Sequence, residues 1–388
     1  MPPISLNRRR FLGCSAAASL ALSQGKLIEA ASPSTIRVGV VGLGTRGTTL
    51  LRTLLELPGV EVVALCDADA RHRSRGLGIV EKARRDRPAG LERPEEVLER
   101  SDVDAVAVAL PCDRHAEVYS VAIRGGKHLY AEKPLALTLP ECDRLIAEAA
   151  EAEDLIVHVG HQRRSNPRYR DGVERVRRGE LGPLIEGTAA WVSSNGPMNG
   201  HGDWLASRAR SGDWMVEQAV HVWDVFNWLA GGPPVRAFGQ GRRDLFTRAQ
   251  PGRDVTDHYA AHLEWADGFH VSFLHSWAAP ADDRFTGVSQ QVMGTEGGFD
   301  FSTGALTFRD RSLPRQTIHP GGQPDTKLAL DAFLTAVRAV GNEPVPAPLS
   351  LVEARDAAIT GLLVRRAVDE RRVVNMSEIL ADRTSVAV

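Results

Sequence analysis

Lysine is scarce in this 388-residue chain: of 47 basic residues only Lys26, Lys82, Lys127, Lys133 and Lys327 are lysines, and the other 42 are arginines. Arginine fills any surface role as well, so each retained lysine invites a question about chemistry. Cysteine is rarer still. Cys14, Cys66, Cys112 and Cys142 lack the paired spacing of a zinc site and are too few to staple so long a chain. No metal is expected. Neither sign of charge dominates, since 49 acidic residues against 47 basic ones leave −2, which argues against nucleic acid or another polyanion as partner. Internal repeats and long low-complexity tracts are also absent.

At the N-terminus, Asn7, Arg8, Arg9, Arg10, Phe11 and Leu12 precede a small, weakly apolar stretch without an acid. This resembles a twin-arginine export signal. The stretch is far shorter than the roughly 20 residues that span a bilayer, so no stable membrane anchor is expected. Residues 1–33 are therefore read as signal and linker, and the twin-arginine machinery is expected to deliver the chain to the periplasm or exterior. Cys14 lies before the apolar stretch, the wrong side for lipidation. The length that remains exceeds what one core supports, and boundaries are placed at 34–160 for a first domain, 161–350 for a second, and 351–388 for a terminal helix and tail.

The run from Ile36 is short, apolar and β-branched, suited to a strand buried on both faces of a parallel sheet. It ends in Gly42-Leu43-Gly44-Thr45-Arg46-Gly47, then a helical stretch, Pro58-Gly59, a second strand and Asp67. In this order the spacing has a mechanism: Gly42 for a tight turn, Gly44 for backbone approach to a pyrophosphate, Gly47 for close helix packing. Asp67 lies where a carboxylate accepts from a ribose and repels a 2′-phosphate. NAD is expected as cofactor, with NADP less favoured although Arg71 and Arg73 lie near. Alternating strands and helices continue to about residue 159, a doubly wound parallel sheet. Ligands bind beyond the carboxyl ends of such strands, where Pro111, His115 and Glu132-Lys133-Pro134 fall.

These motifs, Gly42 to Gly47, Pro111 with His115, Gly126-Lys127-His128 and Glu132-Lys133-Pro134, resemble the Gfo/Idh/MocA family of sugar and cyclitol oxidoreductases. The resemblance implies a Rossmann domain followed by an α+β domain with an open, mainly antiparallel sheet. That sheet often serves as an oligomer interface, so a homodimer or homotetramer is expected. It also maps onto Lys133 the lysine that reaches the reacting hydroxyl and the nicotinamide. Alcohol oxidation needs a proton acceptor, and a lysine away from water can have its basicity lowered. Lys133 is accordingly expected to handle the proton.

The other half of the site is expected on residues 214–228, where helical spacing puts Glu217, His221, Asp224 and Trp228 on one face. The family usually carries aspartate, three residues, then histidine. His221 matches and Glu217 is longer by one methylene. Arg163, Arg164 and Asn166, after the last strand of the first domain, are candidates to bind a carbohydrate, together with Asp224, His258, and Trp204 or Trp191 in a stacking role. Export adds a consequence, because free NAD is not assured outside the cell. Retained NAD would lend and recover hydride, so that net chemistry becomes epimerisation, transfer between sugars, or glycosidic cleavage through a transient ketone. A dehydrogenase releasing NADH and a sugar-binding protein with a vestigial nucleotide site are the alternatives.

Overall fold

The computed structural model describes residues 35–152, 154–197, 203–320, 322, 324–342 and 349–382. The expected export leader lies outside them, as do the centre of the glycine-rich stretch 195–213 and the segment 344–348 with its three prolines. In the first half, strands β1 (Ile36–Val41), β2 (Val60–Cys66), β3 (Ala89–Leu91), β4 (Ala105–Val108), β5 (His128–Ala131) and β6 (Val157–Val159) alternate with helices. These are α1 (Thr45–Glu56), α2 (Ala70–Lys82), α3 (Pro94–Leu98), α4 (His115–Arg124) and α5 (Leu139–Ala150). The strands form one parallel sheet in the order β3-β2-β1-β4-β5-β6. Every side chain of β4 is buried, as a parallel strand covered on both faces requires.

The second half continues with α6 (Pro167–Arg177), β7 (Leu184–Val192), α7 (Arg208–Ser211), α8 (Trp214–Glu217), α9 (Val220–Ala230), β8 (Arg236–Arg242), β9 (His258–Glu264) and β10 (His270–Ser276). β11 (Gly287–Gly294), β12 (Gly297–Asp300), β13 (Ala305–Phe308), β14 (Gln316–Thr317), α10 (Asp325–Ala339), α11 (Leu351–Glu370), β15 (Val374–Asn375) and α12 (Met376–Ala381) complete it. The nine strands order as β14-β13-β12-β11-β7-β10-β9-β8-β15, all antiparallel except β7 against β10. An α/β chain with a Rossmann sheet and a mainly antiparallel second sheet is thus observed.

Two helices tie these sheets together. α10, within the 161–350 stretch, returns to the first sheet, where Ala329, Leu330, Phe333 and Leu334 join the core of β1 and β2. α11 buries Ala354 and Ala358 against the Rossmann layer and Ile359, Leu362, Leu363 and Val364 against the second. None of the described helices is long and apolar enough to cross a membrane.

Gly361 of α11 sets how closely that helix approaches α8. A Cβ there would stand 2.6 Å from the Met215 carbonyl oxygen and 3.1 Å from the Val216 Cα, both backbone. Gly361→Ala gains about 1 kcal/mol of helix propensity, whereas forcing two packed backbones apart costs roughly 1–3 kcal/mol. The substitution should lower the thermal midpoint, measured by calorimetry; a rise would show that α8 yields freely.

Candidate active site

The turn after β1 is built by glycines for steric reasons. Gly42 has φ +86°, and a Cβ there would lie 2.1 Å from the Ala109 carbonyl oxygen; one at Gly47 would lie 1.8 Å from that of Gly42. Around a Gly44 Cβ no atom comes within 4 Å, which leaves room for a ligand against the backbone. Gly44 caps α1 without a side-chain hydrogen bond, so the first-turn amides, Thr45 and Arg46 among them, are the donors that suit an anion. At the end of β2, Asp67 accepts from the Leu43 amide at 2.7 Å and the Asp69 amide at 2.8 Å. This is the cradle that the pyrophosphate and ribose of NAD require, and the residues present fit the cofactor. The neighbouring arginines are drawn elsewhere: Arg71 to the Asp69 carboxylate, Arg73 to the Asp67 and Ala68 carbonyls, and Arg75 to the Leu43 carbonyl.

Arg46 links this loop to the chemistry. Its guanidinium donates to Glu132 Oε1 at 2.5 Å, to Gln162 Oε1 at 2.9 Å and to Thr326 Oγ1 at 2.9 Å. Glu132 is buried at the end of β5, and its other carboxylate oxygen accepts from the Lys133 amide at 3.3 Å. His115 is also buried, with Nδ1 2.7 Å from the Pro134 carbonyl and Nε2 3.0 Å from that of Leu110. It therefore clasps the turn at Pro111 to the Lys133-Pro134 turn, whose peptide bond is cis. Its side chain is engaged on backbone, and burial holds its pKa below the ordinary imidazole range.

Lys133 crosses to the second half of the chain. Its ammonium donates to the carboxylate of Glu217 at 2.6 Å and to the backbone carbonyl of the same residue at 2.6 Å, with both side chains largely buried. The expected continuous helical stripe is broken at this point. α8 ends at Glu217 and α9 starts at Val220. In an unbroken helix the Glu217 carbonyl would accept from the His221 amide; here it accepts from the lysine, and the His221 amide turns to the Gln218 carbonyl at 3.3 Å.

The same pair reverses the expectation for the basicity of Lys133. Burial pulls its pKa down, but the charge of Glu217 and contributions from Cys112 and Glu132 outweigh it, and the pKa is raised. The ammonium stays charged. His221 shifts the opposite way: burial first, then the positive charges of Lys133 and Arg163, hold it well below the usual imidazole range. One group is thus a fixed cation and its neighbour a neutral base.

Around these two lies an aromatic wall. Trp191 of β7 stacks on His221 with centroids 6.4 Å apart and meets His275 at 6.3 Å. His275 is buried between Gln218 Oε1 at 2.8 Å and the Tyr259 hydroxyl at 3.1 Å, and burial pushes its pKa down to about 3. Gln218 and His275 were not singled out for this site in the sequence; only the helix break brings Gln218 toward β10.

Several expected substrate contacts are engaged on other protein groups. Asp224 is 1% exposed and held by Arg164 through Nη2 at 2.8 Å and Nε at 3.1 Å, while Arg164 also reaches Glu353 at 2.9 Å and packs over Trp228. Both charges are consumed in the interior because neither is tolerated there alone. Asn166 caps α6 through the Arg168 amide and donates to Asp325. Arg163, also buried, donates to Gln290 Oε1 and the His221 carbonyl while lying over the Tyr169 and Trp191 rings, so it backs the wall. Trp204 is half-buried in a 3₁₀ turn, Asp203–Ala206, packed on the second core. His258, half-buried, opens β9 opposite Ser276 and Arg242. Among the described residues no group of three or more His, Cys, Asp or Glu is arranged to hold a metal ion.

Comparison with known proteins accords with this geometry. Residues 36–161 match the family model described as an oxidoreductase family with NAD-binding Rossmann fold, GFO_IDH_MocA, and residues 169–300 match the GFO/IDH/MocA C-terminal domain. A glycosyl hydrolase family 109 protein of Shewanella pealeana is 32% identical over 217 residues, 49% of this chain and 46% of that protein. The scyllo-inositol 2-dehydrogenase (NAD(+)) of Bacillus subtilis is 28% identical over 272 residues, 69% of this chain and 74% of the relative. The match thus spans about half the length of the first relative. The crystal structure of aldose-aldose oxidoreductase from Caulobacter crescentus, complexed with glycerol, shares the fold with a TM-score of 0.71 at 20% identity, covering 88% of this chain and 99% of that one.

The cradle generates a direct test. Asp67→Ala removes the acceptor at the end of β2 and the partner of the Leu43 amide, so NAD affinity should fall at least tenfold while NADP affinity falls less. Titration of both nucleotides by fluorescence reads the ratio; an unchanged ratio would show that Asp67 does not select the cofactor.

Proposed function

The chain belongs to the Gfo/Idh/MocA oxidoreductase family, and from that premise we propose that it oxidises a hydroxyl group of a sugar, cyclitol or glycoside with NAD. The observation that carries the proposal is the Lys133 ammonium, joined to Glu217 at 2.6 Å beside a neutral His221, with the adjoining Glu132 tied by Arg46 to the glycine turn. Such a pair suits a carbinol: a fixed donor for the oxygen and a base for its proton.

When bound, NAD supplies the hydride acceptor. The glycine turn and the first-turn amides of α1 would hold its phosphates, and Asp67 its ribose. Lys133 binds and orients the substrate oxygen and stabilises the negative charge that grows there. His221 accepts the hydroxyl proton through its lone pair and returns it in the reverse direction. Glu217 keeps Lys133 charged and aimed, and Trp191 offers an apolar face to the C–H side of a sugar ring.

The similarity to a glycosyl hydrolase family 109 protein favours a second reading in which the oxidation is transient. In that reading His221 first releases the hydroxyl proton to water, the ketone acidifies the neighbouring C–H, His221 passes that proton to the departing glycosidic oxygen, and water and the borrowed hydride are then added back. Export through the leader, with NAD retained on a periplasmic or extracellular enzyme, belongs to the same proposal, as does association of subunits through the exposed face of the second sheet. Phe238, Leu274 and Met293 are large exposed apolar residues of that sheet.

A panel of sugars, cyclitols and glycosides, followed at once by product analysis and nicotinamide absorbance, separates the readings. Net NADH formation supports the dehydrogenase, and cleaved or epimerised product at constant absorbance supports hydride return. No turnover of any panel member by protein carrying NAD would contradict both. With an active substrate, Lys133→Met should cost at least 10²-fold in kcat. Because His221 stays neutral well below pH 6.5 and Lys133 stays charged above 10.5, kcat/KM should be level between about pH 6.5 and 10. An acid limb with its midpoint near 6.5 would show that the base is an ordinary, exposed imidazole.

A further inference from the structure

Three imidazole nitrogens next to the site are buried without a protein partner. Nδ1 of His221 is one; Nδ1 and Nε2 of His161 are the others. His161, two residues past β6 and just before the 3₁₀ turn Gln162–Ser165, is 2% exposed and stands edge-on to His221 with ring centroids 6.2 Å apart and planes at 79°. Subtracting the reach of each ring leaves the nearest nitrogens no closer than about 4 Å, too far for a direct hydrogen bond. On its far side His161 Nδ1 lies 3.7 Å from Asp224 Oδ2, the carboxylate held by Arg164.

Buried polar atoms without partners are costly, and a cluster of them is where an internal water makes its two to four bonds. Only one assignment of protons satisfies the chain of groups in the direction catalysis needs. The Asp224 carboxylate, 3.7 Å from His161 Nδ1 and beyond hydrogen-bond reach, attracts the ring proton to Nδ1 by its charge and leaves the lone pair on Nε2. A water donates to that lone pair and accepts Nδ1–H from His221. The tautomer of His221 is then settled, with the lone pair on Nε2, the ring nitrogen that is not among the buried orphans. Lys133, Arg163 and Arg46 surround His221, while Asp224, Arg164, Lys133 and Glu132 surround His161. Burial, joined at His221 by the surrounding positive charges and at His161 outweighing the pull of Asp224, keeps both rings neutral, so tautomer rather than charge is the variable.

We propose that His161 is a positioning residue that fixes the tautomer of His221 through one shared buried water, with Asp224 and Arg164 anchoring it from behind. The inference rests on the reading of His221 as the base, and it adds a device that makes that base competent. It gives a role to Asp224 and Arg164, which are engaged on each other in the interior directly behind His161.

Long-range ¹H–¹⁵N correlation spectra of [¹⁵N]histidine-labelled protein, with His221 and His161 assigned by single substitution, distinguish Nδ1–H from Nε2–H rings directly. The unsubstituted protein should show His221 as the Nδ1–H tautomer. His161→Phe should move it to a mixture or to Nε2–H, and His161→Gln, whose side chain can still bind the water, should restore the Nδ1–H form. An Nε2–H His221 in the unsubstituted protein, or a tautomer untouched by His161→Phe in folded protein, would overturn the proposal. The spectrum needs no substrate, so failure of the carbohydrate reading shows in the panel assay and failure of this one shows here.

Discussion

One ion pair organises the rest of the structure: the Lys133 ammonium, projected from the end of a parallel strand, seated on two oxygens of Glu217 below the second sheet. Burying two charges costs several kcal/mol per ion unless geometry and further hydrogen bonds offset it. Here the second oxygen is a backbone carbonyl, taken from the helix at the position where α8 gives way to α9. The break that looks like a defect in helical periodicity is therefore part of the ligand set of the lysine. Other contacts tie the two halves together: the return of α10 to the first sheet, the burial of α11 against both cores, and the reach of Arg46 to Thr326.

The charge pattern of the site follows from that pair. A lysine in an apolar pocket with no acid would lose its proton more readily; with Glu217 at 2.6 Å it keeps it. Burial first, and the retained charge after it, hold the His221 ring neutral. A fixed cation and an adjacent neutral base are pushed apart in pKa by one arrangement, the condition under which two titratable groups divide donor and acceptor duties near neutrality. The cofactor loop joins this arrangement through Glu132, which accepts from Arg46 on one oxygen and from the Lys133 amide on the other.

Local chemistry made much of this legible in the sequence. The glycine turn, Asp67 and the strand-helix alternation could be read because each depends on residues within about 30 positions, and α4 and β5 fall where the residue pattern puts them. Family resemblance put Lys133 and Glu217 in one site, but their direct contact was not foreseen, because the two lie 84 positions apart. What remained hidden has a common cause. The basicity of Lys133 was misjudged because its partner is remote in sequence. Arg164 and Asp224 looked like substrate ligands because ionisable groups in sequence carry no mark of burial, and only the fold brings them together across 60 residues. The partners of Arg46, Gln162 and Thr326, are equally remote, the latter by 280 residues. The role of Gln218 was hidden because periodicity assumes an unbroken helix, whereas Gln218 lies between α8 and α9.

The claim that Lys133 and Glu217 act as one unit is tested most directly by a double-mutant cycle with Lys133→Met and Glu217→Gln, read in kcat on whichever substrate turns over. The account predicts strong non-additivity: each single substitution should remove most of the activity, and the double variant should be little worse than either, as for groups that function only together. Independent, additive losses from the two substitutions would contradict it.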